Sequence, residues 1–161
     1  MLTFQELYEA HAAGVYRFAF SLTRDQHRAE DITSETFVRA WARNDRIRTE
    51  TLQGYLFTIA RHLFLDGCRS SRRHAALDEA VVDPAPGPAD RVLAGVTLER
   101  AERVLDTLPE SDRTAFLLRV QQDLPYAEIA RILGISLITA RVKVHRVRAR
   151  LIAACIGKEP S

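Results

Sequence analysis

Cysteine is scarce in this chain of 161 residues. The two present, Cys68 and Cys155, stand far apart and outside any CxxC or Cys/His ligand spacing. That excludes a disulfide framework and leaves two free thiols, as expected in a reducing compartment. The five histidines, His11, His27, His62, His74 and His145, are scattered, so no metal or other cofactor is expected. No apolar run approaches the roughly 18–20 residues that span a bilayer, and no membrane insertion is expected. The first residues lack the basic start and apolar core of a signal peptide, which points to the cytoplasm. A Gly-rich phosphate loop, an HExxH pair and a nucleophile elbow are all missing, so an enzyme is not expected.

Period-two alternation is nearly absent as well, whereas several segments repeat with helical spacing, so the fold class is all-α. A hydrophobic fraction of 47% is that of a folded protein. The clearest break is Asp83–Asp90, where three prolines and a glycine forbid a helix. The expected architecture is two small helical domains, residues 1–73 and 98–157, each with a small core, joined by a flexible linker at 74–97.

Helices are expected at about Thr3–Leu22, His27–Arg43 and Leu52–Arg72. Their inward positions are Leu7, His11, Val15, Phe18 and Leu22; then Ala29, Thr33, Phe37, Ala40 and Trp41; then Leu52, Leu56, Ile59, Ala60 and Leu63. In the second half, helices are expected at Leu98–Leu108, after Pro109, at Tyr126–Leu133 and from Ser136 to about Ala154.

The net charge of +2 says little, but its distribution says more. Residues 61–73 carry Arg61, Arg69, Arg72 and Arg73 against one acid, Asp66. Residues 136–151 carry Arg141, Lys143, Arg146, Arg148 and Arg150 and no acid, while the connector between the two segments is acidic. Two basic segments suggest two contacts with a polyanion.

The segment Leu124–Leu151 has the punctuation of a helix-turn-helix. A short helix buries Ile129, Ala130 and Leu133. Gly134 can end it in the left-handed conformation, and Ser136 can cap the next. On that next helix Leu137, Ala140, Val144, Val147 and Leu151 form an apolar stripe flanked by basic residues, a form suited to a major groove lined by phosphates.

These residues resemble region 4 of extracytoplasmic-function (ECF) sigma factors of the sigma-70 family. The resemblance is carried by Leu108, Pro109, Arg113, Phe116, Leu118, Leu124, Tyr126, Glu128, Ile129, Ala130, Leu133, Gly134, Ser136, Thr139, Arg146, Arg148 and Leu151. Ala140 stands where the family commonly has valine. The first half is similar to region 2, through Ala29–Ile32, Glu35–Trp41, Tyr55–Arg61, Asp66 and Arg69. Tyr55 and His62 replace the tryptophan and asparagine common there.

The resemblance implies a sigma factor that directs RNA polymerase to promoters. Its partners would be the clamp helices and flap of core RNA polymerase, promoter DNA and an anti-sigma factor. Asp31, Glu35 and Val38, spaced four and three apart on one helix, would meet the polymerase. Asn44, Tyr55, Arg61, His62, Arg69, Arg72 and Arg73 would engage the −10 element, by pocketing or stacking bases and holding phosphates. Ser136, Thr139, Arg141, Val142, Lys143, His145, Arg146 and Arg148 would read the −35 element as duplex. The alternative is a stand-alone helix-turn-helix regulator, which would bind DNA without polymerase, usually as a dimer on a two-fold site.

Overall fold

The computed structural model describes residues 3–43, 52–75 and 94–155, with seven helices and no strand among them. They are α1 (Phe4–Thr23), α2 (Gln26–Ala42), α3 (Leu52–Ala75), α4 (Ala94–Thr107), α5 (Glu110–Val120), α6 (Tyr126–Leu133) and α7 (Leu137–Cys155). α4 begins four residues before its expected start, inside the segment assigned to the linker.

Local chemistry sets the helix ends. Thr3 and Glu6 form a reciprocal capping box at the start of α1. Arg24 closes α1 in the left-handed conformation, at φ 54°, and Asp25 caps α2 by accepting from the Arg28 amide. Gly134 ends α6 at φ 68°. The Ile135 amide then reaches back to the Ala130 carbonyl at 3.0 Å, and the Ser136 hydroxyl oxygen accepts from the Thr139 amide at 3.1 Å. Only Ile135 stands between the stop at Gly134 and the start at Ser136, which fixes the sharp turn of a helix-turn-helix.

α1, α2 and α3 pack on one another, and α7 lies against α4, α5 and α6. The two halves do not keep separate cores. α3 packs on α6 and α1 on α5, and Leu7, Phe18, Phe37 and Leu56 belong to the same contiguous buried cluster as Leu118, Ile129 and Val144. Burial of this apolar surface is the main force holding the halves together. Polar contacts frame it. Arg24 bridges to Glu102 and Asp106, Gln121 donates to the Ser21 hydroxyl at 2.9 Å, and Gln122 donates to the Gly14 carbonyl at 3.1 Å.

Several inward assignments change. Trp41 is exposed at the end of α2, where Ala40 takes the inward position and Phe4 meets the indole edge-on at 5.6 Å. Leu137 is exposed because Ile135, from the turn, packs on the core instead. Leu133 and His11 are half-buried. Phe57 and Phe64, outside the expected stripe of α3, are buried, and Phe57 meets Phe18 edge-on at 5.1 Å. Thr33 and Thr36 are buried because each hydroxyl donates to the carbonyl one turn back, on Ala29 and Ile32.

Candidate nucleic-acid interface

α7 buries Ala140, Val144 and Val147 completely and presents the rest of its first three turns, Lys143 apart, to solvent. Ser136, Thr139, Arg141, Val142, His145, Arg146 and Arg148 are all exposed there. Lys143 is turned inward. Its ammonium donates to the Asp112 carboxylate at 2.9 Å and to the Ser111 hydroxyl at 3.1 Å. Asp112 is 1% exposed, and its second oxygen takes Arg146 at 3.4 Å. A buried carboxylate in the first turn of α5 thereby fixes the rotation of α7 through two of its cations. In this arrangement Lys143 acts as an anchor, and Arg146 is shared between anchor and solvent.

Tyr126, the first residue of α6, holds another of these side chains. Two guanidinium groups lie over its ring, Arg119 at 4.4 Å and Arg141 at 5.6 Å from the centroid. Arg141 therefore projects from α7 against an aromatic support. Sequence reasoning missed both Tyr126 and Asp112 as positioning residues.

The first half gathers a second group. Tyr55 and His62 line one cleft of ≈ 290 Å³ together with Arg39, Ala42, Arg43 and Ile59. Two expected base-stacking side chains thus share a concavity with two arginines that had not been singled out, Arg39 of α2 and Arg43 just after it. Arg69 is exposed and only loosely paired with Asp66, at 4.0 Å, an interaction of little energetic weight at the surface. Arg72 and Arg73 lie within α3, but their side chains, like the whole of Asn44, fall outside the described residues.

Arg61 is placed differently. Its guanidinium donates twice to Glu110, at the start of α5, with both distances 2.9 Å. Burial alone raises the Glu110 carboxyl. The hydrogen bonds from Arg61 and Thr114 and the charges of Arg61 and Arg113 outweigh it and hold the group below its ordinary value.

Asp31 and Val38 are exposed on α2, and half-buried Glu35 lies between them, paired with Arg39 at 3.0 Å. Exposed Trp41 follows Val38 by three residues on α2, and exposed Phe4 meets it edge-on. Among the described residues no group of His, Cys, Asp and Glu could hold a metal ion, and no helix is long and apolar enough to cross a membrane.

An all-α chain with a helix-turn-helix in one half and an Arg/Tyr/His cleft in the other has the makings of a transcription factor with two DNA-facing surfaces. Comparison with known proteins gives the family. Residues 7–74 match the family model described as Sigma-70 region 2, and residues 98–151 match Sigma-70, region 4. The ECF RNA polymerase sigma factor EcfG of Rhodopseudomonas palustris is 33% identical over 84% of this chain and 76% of its own length. SigE of Mycolicibacterium smegmatis, also an ECF RNA polymerase sigma factor, is 37% identical over 94% of this chain, which spans 61% of that protein. The sigma factor RpoE, solved in complex with the anti-sigma factor NepR from Bartonella quintana, is similar in fold at TM-score 0.77 and 25% identity, over 97% of this chain and 98% of that one. The chain belongs to the ECF sigma factors of the sigma-70 family, proteins of transcription initiation.

Proposed function

We propose that this chain joins core RNA polymerase in the cytoplasm and directs it to promoters, with no catalytic chemistry of its own. The assignment of parts follows the two halves. The α2 strip of Asp31, Glu35 and Val38 meets the polymerase clamp. An acidic strip with an apolar residue at its end suits a basic and apolar partner face. Residues 98–157 contact the flap and read the −35 element as duplex through α7. Residues 1–73 engage the −10 element, where the cleft between α2 and α3 receives an unpaired base and the basic residues of α3 follow the backbone. An anti-sigma factor is a further proposed partner, because the solved relative RpoE is bound to one.

The observation that carries this reading is the coexistence, in one chain, of two basic surfaces built differently. α7 offers a convex helix that fits a groove. The Tyr55–His62 cleft offers a concavity with aromatic walls and arginines, which suits an extruded base better than a paired one. Reading one element as duplex and another as opened strand is what promoter recognition demands.

The test is run-off transcription. The purified chain is added to bacterial core RNA polymerase on a genomic fragment library, against core alone. Discrete new start sites sharing two upstream elements are expected. Failure to initiate or to co-elute with core, combined with tight binding to duplex DNA, would replace this reading with a stand-alone regulator.

A further inference from the structure

The outward face of α7 is not wholly polar. At 3.6 residues per turn, the side opposite Ala140, Val144 and Val147 carries Ile138, Val142 and His145 in succession. Ile138 is 74% exposed and Val142 46%. Arg141 and Arg148 flank this ridge on one side and Arg146 on the other, and no acid occurs anywhere between residues 129 and 157. An apolar ridge between two rows of cations is matched by a surface with apolar groups at its floor and anions along both walls. The major groove of duplex DNA has that form, with thymine 5-methyl groups on the floor and phosphates on the walls. Ile138 lies in the first turn of α7, the part of a recognition helix that enters the groove.

We infer that Ile138 and Val142 read thymine 5-methyl groups in the upstream promoter element, and that Ile138 is a specificity-determining residue of this chain. The inference rests on the proposed role of α7 in reading DNA. Hydrogen-bonding side chains distinguish bases by donors and acceptors. These two distinguish thymine from every other base by its methyl, the one apolar group that a base edge offers there. Anchoring by Asp112 and the Tyr126 support keep the ridge facing outward, since both restrain the rotation of α7 and the path of its arginines.

The test removes single methyl groups from the DNA. Holoenzyme is assembled from core RNA polymerase and the full chain, and its promoter is taken from run-off transcription on the genomic library. Each thymine of the upstream element, on either strand, is replaced by deoxyuridine, which differs only by the missing 5-methyl, and binding is measured by competition. The unaltered chain is expected to lose about three- to fivefold at one or two thymines, the worth of one buried methyl group. Ile138→Ala or Val142→Ala should bind the thymine duplex as weakly as the unaltered chain binds the uridine duplex. Each should be indifferent to the replacement at its own position, while Ile138→Val keeps part of the response. Both side chains are exposed, so these substitutions leave the fold intact. A holoenzyme that initiates normally but responds to no thymine, or whose response is the same in both alanine variants, overturns the inference. A chain that gives no run-off at all overturns the sigma-factor reading instead. The same replacements, made in duplexes selected from a random pool by the full chain alone, then decide methyl readout separately.

Discussion

Arg61 and Glu110 are joined by a two-pronged ion pair that crosses from one half of the chain to the other. Both side chains are largely buried, at 15% and 18% exposed, so the pair is shielded from solvent screening more than a surface bridge is. A cation expected at the −10 element is thereby held by the half proposed to read the −35 element. A double-mutant cycle on Arg61→Ala and Glu110→Ala, followed by urea denaturation, should give a coupling of about 1–3 kcal/mol. Glu110→Gln should free Arg61, increase the radius of gyration by small-angle scattering and strengthen binding to single-stranded DNA. An unchanged radius and unchanged DNA affinity would show that the pair restrains neither.

The same pair sets an acid limit. The Glu110 carboxyl lies below its ordinary value of 4.5, so its contribution is fully present above that value and is lost as pH falls through the folded-state value.

His11 acts nearer neutrality. It lines a cavity of ≈ 160 Å³ with Leu56, Phe57 and Gln122, where α1 and α3 meet the end of α5. Burial holds its imidazole below the ordinary value of 6.5. The unfolded chain therefore takes up a proton first as pH falls through 6.5, and stability declines until the folded-state value is passed. The urea midpoint should drop between about pH 7.5 and about pH 5.5, and His11→Gln should flatten that drop. An identical pH slope in the variant would assign the effect to other groups.

Asp112 is the residue whose loss should cost the C-terminal half most for its size. Asp112→Ala strands the inward-facing ammonium of Lys143 and removes a partner of Arg146. The expected destabilisation is about 2–4 kcal/mol. Restoring apolar shape by pairing Asp112→Leu with Lys143→Met should recover much of it, because the one charge left without this partner, Arg146, is exposed to solvent. If the double variant is no more stable than Asp112→Ala, the carboxylate does more than balance Lys143.

The cleft between α2 and α3 makes a kinetic prediction that depends on the proposed function. Tyr55→Ala and His62→Ala should each weaken promoter opening by about 1–3 kcal/mol, the usual worth of one base stacked on a ring. Permanganate reactivity of opened thymines would report it. Binding of the upstream duplex should be untouched, which separates loss of a base pocket from general unfolding.

The helices were largely legible in the sequence because their ends are marked locally. Thr3, Asp25, Pro109, Pro125, Gly134 and Ser136 announce starts and stops within a few residues of where they occur. Tyr126–Leu133 has the expected bounds for that reason. The rest depends on partners distant in sequence. The exposure of Trp41 follows from where α2 ends against α1, and the burial of Phe57 from the packing of α3 on α1, where it meets Phe18. Nothing around Arg61 indicates that its partner lies 49 residues on. Periodicity placed Lys143 on a flank of α7 but could not tell that Asp112 waits beneath it. A basic residue on a helix flank has the same sequence signature whether it faces phosphate or a buried acid.

Neutralising Lys143 from within also changes how α7 answers to dissolved ions. Binding to duplex releases about 0.9 condensed cation per phosphate contacted. Of five basic residues on this helix, one is already matched by an internal carboxylate and another partly so. If α7 meets duplex as proposed, it displaces fewer counterions than its formula suggests. Its hold on DNA should weaken more gently with rising ionic strength, leaving shape and apolar contact a larger share of recognition in a salty cell.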